Sequence, residues 1–146
     1  MRYHFNEGHI QAPEHVSDRT MHILAPTPGI GGMTIAISRD SLEADETPPA
    51  FLQRQLNDLG RQVGKYQRGE LEPARLGDPA QGIEGTRFTV SYKQQGRQVH
   101  HVQAIFLLPG TRQVLSFTFS LPVAFNAEQH RMADAVLASF VLRQPG

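Results

Sequence analysis

The 146-residue chain predicts an α+β fold, an antiparallel β-sheet of about six strands with two helices packed on one face. Three strand-length segments, Ile83 to Lys93, Arg97 to Leu108 and Arg112 to Leu121, follow one another with hairpin-length links at Gln95-Gly96 and Pro109-Gly110. Two amphipathic segments, one after Thr47 and one after Asn126, carry helix-start signals. The resulting element order, βββα(β)βββα, sets strands that neighbour in sequence beside one another in one sheet.

Residues 3 to 11 and 18 to 25 are short extended segments separated at Pro13, and the expectation is that they form an antiparallel pair. Pro26 to Gly32, PTPGIGG, reads as a turn into a third strand, MTIAIS, ending near Arg39. DSLEADE follows as a solvated acidic connection. Thr47 then serves as N-cap with Pro48 at the first helical position, where its missing N–H costs nothing. The helix buries a stripe of Leu52, Leu56, Leu59, Val63 and Tyr66, spaced at helical intervals. Arg68 to Gly82, with its glycines and prolines, reads as an irregular excursion with at most a short strand. The last helix starts at Asn126, with Gln129 three residues on as in a capping box, and Val136, Leu137, Phe140 and Val141 form its apolar face.

Alternation along the strands assigns side chains to faces. In the last strand Leu115, Phe117, Phe119 and Leu121 share a core face, opposite Val114, Ser116, Thr118 and Ser120. In the strand before it Val102, Ala104 and Phe106 oppose Val99, His101, Gln103, Ile105 and Leu107. Phe88, Val90 and Tyr92 oppose Arg87, Thr89 and Ser91, and Met21 and Ile23 oppose Thr20, His22 and Leu24. With both helices on the aromatic face, the other would expose Ile23, Ile105 and Leu107 among Ser, Thr and Gln, an apolar patch of the kind that marks an interaction site. The segment 68 to 82 or a second copy of the chain could cover it.

Composition excludes several classes. Lys+Arg 14 balances Asp+Glu 14 with no basic run, so nucleic acid is not an expected partner. The absence of cysteine removes thiolate nucleophiles, disulfides and Cys-ligated zinc. No window approaches the roughly 20 apolar residues that span a bilayer, so no stable membrane association is expected. Seven histidines include no HExxH or His-x-His; His100 and His101 point to opposite faces, and an odd spacing is expected to separate His4 from His9 as well. Gly29-Ile30-Gly31-Gly32 precedes a strand and lacks the Lys-Ser/Thr of a phosphate loop. No G-x-S-x-G elbow exists, and Asp40, Glu43, Asp45 and Glu46 sit in a polar loop with nothing apolar to raise a carboxylate pKa. The chain is read as a non-enzyme without cofactor or metal.

The opening YHFNEGHIQAPEHVSDRTMHIL, the meander segments HHVQAIFLLPG and VLSFTFS and the closing amphipathic helix together resemble the Eag family. These are effector-associated chaperones of bacterial type VI secretion, within the DcrB-like group of Mog1/PsbP-like fold. A DcrB-type lipoprotein would carry a signal peptide and a lipidated cysteine, whereas MRYHFNEGHIQAPEH has no apolar core, so the cytoplasmic chaperone branch is expected. The resemblance implies a single domain over residues 1–146. It also implies a homodimeric adaptor that binds and shields N-terminal transmembrane helices of a secreted effector and aids loading onto the spike protein.

A transmembrane helix about 30 Å long would match a six-strand sheet roughly 29 Å across. The helix-binding residues read from the open face are Met21, Ile23, Gln103, Ile105, Leu107, Ser116 and Thr118, with Ser120 beside them. The family's groove glutamines would fall on Gln103 and, on the first helix, on Gln62 or Gln55. The alternative is a non-catalytic small-ligand or protein-binding module of the same fold.

Overall fold

The computed structural model describes residues 1–143 apart from 28, 30 and 31. The expected turn at Pro26 to Gly32 therefore lies partly outside the described residues. The N-terminal pairing differs from expectation. Strands β1 (Arg2–Phe5) and β2 (Gly8–Gln11) form a hairpin of their own, and β3 (Met21–Leu24) pairs instead with β4 (Thr34–Ser41). The turn at Asn6-Glu7 resets the alternation, so His4 and His9 face each other across the hairpin with ring centroids 5.4 Å apart rather than diverging. The hairpin touches the chain ahead of β3 through the Tyr3 hydroxyl, 3.0 Å from Thr20 Oγ1.

Helix α1 (Pro48–Gln62) begins as expected: Thr47 Oγ1 accepts from the Ala50 N–H at 3.3 Å, with prolines in the first turn. Its entry is fixed further by Glu46, whose carboxylate accepts from Arg54 Nε and Nη2 at 2.9 and 3.0 Å, while the Arg54 guanidinium lies 5.1 Å from the Phe51 ring centre. Glu46 is thus a structural group of the otherwise solvated acidic connection. The helix stops at Gln62 because Val63 turns extended, and Tyr66 belongs to the next strand.

The segment expected to be irregular holds β5 (Gly64–Arg68) and β6 (Glu72–Leu76), laid end to end along one edge of β7 (Ile83–Gln94). Pro73, which has no N–H to donate, is tolerated in β6 because that strand is an edge. Strands β7, β8 (Arg97–Leu107) and β9 (Gln113–Leu121) form the expected meander. At the β7–β8 turn, Gln95 and Gly96 both have positive φ, 53° and 78°, which suits a two-residue hairpin. Helix α2 (Ala127–Ala138) carries the full capping box: Asn126 Oδ1 accepts from the Gln129 N–H and Gln129 Oε1 from the Asn126 N–H.

The main sheet has seven strands in the order β3-β4-β9-β8-β7, with β5 and β6 end to end on the outer edge of β7, all pairs antiparallel. This bears out the α+β class. The register corrects one part of the expected arrangement, because the helices take opposite faces. Val102, Ala104 and Phe106 align with Phe119, Phe117 and Leu115, and Ala133 and Leu137 of α2 close over them, with Phe106 and Phe117 edge-on at 6.1 Å. Phe88 aligns with Gln103, so Phe88, Val90 and Tyr92 point the other way and are buried by Leu52 and Leu56 of α1. Alternation within a strand cannot say which faces of neighbouring strands coincide; only register does. Phe51, at the start of α1, packs on Leu42 and Val114 of that second face.

Candidate functional site

The face under α1 is only half covered. From the Val114 corner of β9 the helix crosses toward Tyr92 of β7, leaving the part of the face built by β3, β4, β9 and the middle of β8 without a layer above it. Register lays the site residues out in rows. One row runs Ile23, Ala36, Thr118, Gln103; the next runs Met21, Ser38, Ser116, Ile105; a third holds Asp40, Val114, Leu107. On the other side of the first row stand Thr34, Ser120 and His101.

Burial grades across these rows. Met21 and Ile23 on the free edge strand are 54% and 62% exposed, whereas Ser116, Thr118 and Gln103 in the centre are half-buried. Ile105 and Leu107 are placed differently from expectation: they pack beneath the first turns of α1 against Phe51 and Val114. They also line an apolar cavity of about 710 Å³ between α1 and the β6–β7 edge, together with Leu52, Leu71 and Pro73. The structure thus gathers Met21, Ile23, Gln103, Ser116 and Thr118 on the open half and leaves Ile105 and Leu107 at the helix boundary.

Of the two α1 glutamines, Gln55 is half-buried and donates through Nε2 to Asp40 Oδ2 at 3.2 Å, which ties the helix flank to β4. Gln62 is exposed at the end of the helix, two turns further along the same flank. Both border the open half, Gln55 already engaged and Gln62 free to solvent.

His101 was legible as a face residue, but its environment was not. Its Nε2 lies 3.3 Å from the Tyr92 hydroxyl, the two rings meet edge-on at 5.2 Å, and Nδ1 is shielded from solvent without a partner. Burial, and secondarily the neighbouring His100, holds its pKa below the ordinary histidine value. Thr34, Ala36 and Ser38 complete the floor, and alternation in TIAIS against Ile35 and Ile37 was the signal that could have found them.

Family comparison adds a lineage to this geometry: the family model described as DcrB matches residues 7–139. The chain belongs to the DcrB family. Among solved structures, this DcrB-family chain is similar to the crystal structure of PA94, a protein of unknown function from Pseudomonas aeruginosa. Identity is 18% over 99% of this chain and 98% of that one, with a TM-score of 0.73, a likeness of fold. No curated protein matches significantly. Among the described residues of the DcrB-family chain, no three His, Cys, Asp or Glu side chains cluster as metal ligands, and no helix is long and apolar enough to cross a membrane.

Proposed function

We propose that this DcrB-family chain is a non-catalytic cytoplasmic adaptor that binds and shields the N-terminal transmembrane helices of a type VI secretion effector and aids its loading onto the spike. The observation that carries the reading is the half-covered face, where exposed Met21 and Ile23 border a floor of Ser38, Ser116, Thr118 and Gln103. A helix about 20 residues long spans about 30 Å, which is the length of nine-residue β9 at about 3.4 Å per residue. The breadth from β8 to β3, three strand spacings or roughly 14 Å, fits one helix of about 10 to 12 Å beside α1. Apolar side chains would displace water from the client, and the hydroxyls and amide would meet the small polar residues through which membrane helices pair.

The proposal includes a homodimer. The folded chain exposes 10256 Å², against roughly 7,400 Å² for a compact monomer of this mass, an excess larger than the roughly 800 Å² each partner buries in a standard interface. The N-terminal hairpin, with Phe5 and Ile10 exposed, and the edge strand β3, with apolar side chains on both faces, offer apolar surface for such an interface. A second reading, a small-ligand module, is favoured by the apolar cavity beside α1.

The deciding experiment is co-expression of the full chain with an effector N-terminal region holding its apolar segments. The adaptor reading expects that region to stay in solution and co-purify in a complex containing two copies of this chain by light scattering. A client that precipitates equally with and without the chain overturns it, and retention of a small apolar molecule by the purified chain would select the second reading.

A further inference from the structure

On the opposite side of the sheet from that groove lies a second cavity, of about 360 Å³, between the β5–β7 edge and the chain leading into α2. Arg68, Thr89, Ser91, His100, Phe125 and His130 border it, and among the described residues no carboxylate does. We propose that it is a binding site for a small oxyanion, a phosphate or a compact carboxylate.

The polar groups are held rather than merely present. Arg87 has only donors to offer, so its Nη2, 2.7 Å from His130 Nδ1, donates to that nitrogen, and the neutral ring then carries its proton on Nε2 as a free N–H donor. Arg87 is itself held by ion pairs, Nε 3.1 Å from Asp134 Oδ1 without an aligned hydrogen bond and Nη1 3.5 Å from Glu72 Oε2, and its side chain is only 12% exposed. Asp134 and Glu72 are thereby engaged by Arg87, and neither lines the cavity. The wall on the β5 side depends on Gly69. Its N–H donates to the Thr89 carbonyl at 2.9 Å, and a Cβ at this position would press on the Thr89 hydroxyl, so the glycine lets the β5–β6 link seat closely without moving that side chain. Arg68, one residue earlier, uses Nη1 on the Gly69 carbonyl at 3.0 Å, keeping the charge at the rim. A guanidinium, two hydroxyls and imidazole N–H groups around a cavity without competing acid are the complement of an oxyanion.

The probes are sodium phosphate and sodium succinate, titrated into the full chain near neutral pH against sodium chloride of equal ionic strength. Calorimetry reads affinity, and histidine ring NMR signals read location. The expected result is saturable binding of at least one probe, with shifts of the His100 and His130 signals and none at His9 or His22, and binding weakened about tenfold by Arg68→Gln. Arg68 is exposed, so that variant keeps the fold. Preference for one probe over the other assigns the anion. No saturable binding beyond the chloride control, or binding that Arg68→Gln leaves unchanged, overturns the site, and neither outcome touches the helix-binding groove.

Discussion

Gln103 on β8 stands directly opposite Thr118 on β9, at the centre of the sheet face that α1 leaves open, with the apolar Phe88 on its other flank. An amide and a hydroxyl at one register position form a small polar island between the α1-buried cluster and the exposed edge at Ile23. Both are half-buried, and between them they carry amide and hydroxyl donors and acceptors on that face.

Gln103→Ala is therefore expected to leave the melting temperature within a few degrees of wild type while weakening retention of an apolar client helix by about tenfold. Thermal melts by circular dichroism and co-purification yields with the effector segment check the two halves separately. A collapse of the melt would place Gln103 in the core rather than on the binding face.

Ile23→Asp and Ile105→Asp are expected to differ. Ile23 is 62% exposed on an edge strand, so a carboxylate there costs about 0.5 kcal/mol or less in the free protein yet opposes an apolar client. Ile105 packs into two clusters beneath α1, so the same change buries a charge and costs about 3 kcal/mol or more. Urea unfolding of the two variants reads the difference directly.

Gly85 sits opposite Phe106, and a Cβ on it would collide with the Ile105 carbonyl and the Phe106 ring. Gly85→Ala is expected to destabilise the chain by about 2 kcal/mol, because strand backbone cannot yield as a flexible side chain would. Equilibrium denaturation at one temperature measures it.

The sequence made the late elements legible and the early ones less so, for a physical reason. Ile83 to Leu121 alternates over long strands joined by strong turn signals, and these bounds hold to within a residue or two. Asn126 and Gln129 announced α2 through chemistry local to the chain. The hairpin β1–β2 was hidden because Asn6-Glu7 interrupts what reads as one extended run, and β5 and β6 because edge strands of five residues tolerate Gly and Pro. Alternation placed Gln103, Ile105, Ser116 and Thr118 on one face, as the register does, but the division of that face by α1 depends on the pairing of Phe88 with Gln103, which no single strand encodes.

His101 sets the acid side of the stability profile. Burial lowers its pKa below 6.5, so between 6.5 and the lowered value the unfolded chain binds a proton that the folded chain does not. Stability is then fully present above the unfolded value and is lost as the pH falls through the folded one. Glu46, its pKa lowered first by the Arg54 hydrogen bonds and then by the Glu43 N–H, acts in a separate window: its contribution is present above 4.5 and lost as the pH falls toward its lowered value. Acid unfolding is therefore expected in two stages. His101→Asn should flatten the dependence just below pH 6.5 while leaving the lower stage intact, and Glu46→Gln should do the reverse. Denaturant midpoints measured from neutral pH to below 4.5 check both variants, and a wild-type profile with no slope just below pH 6.5 would mean that His101 is open to water in solution.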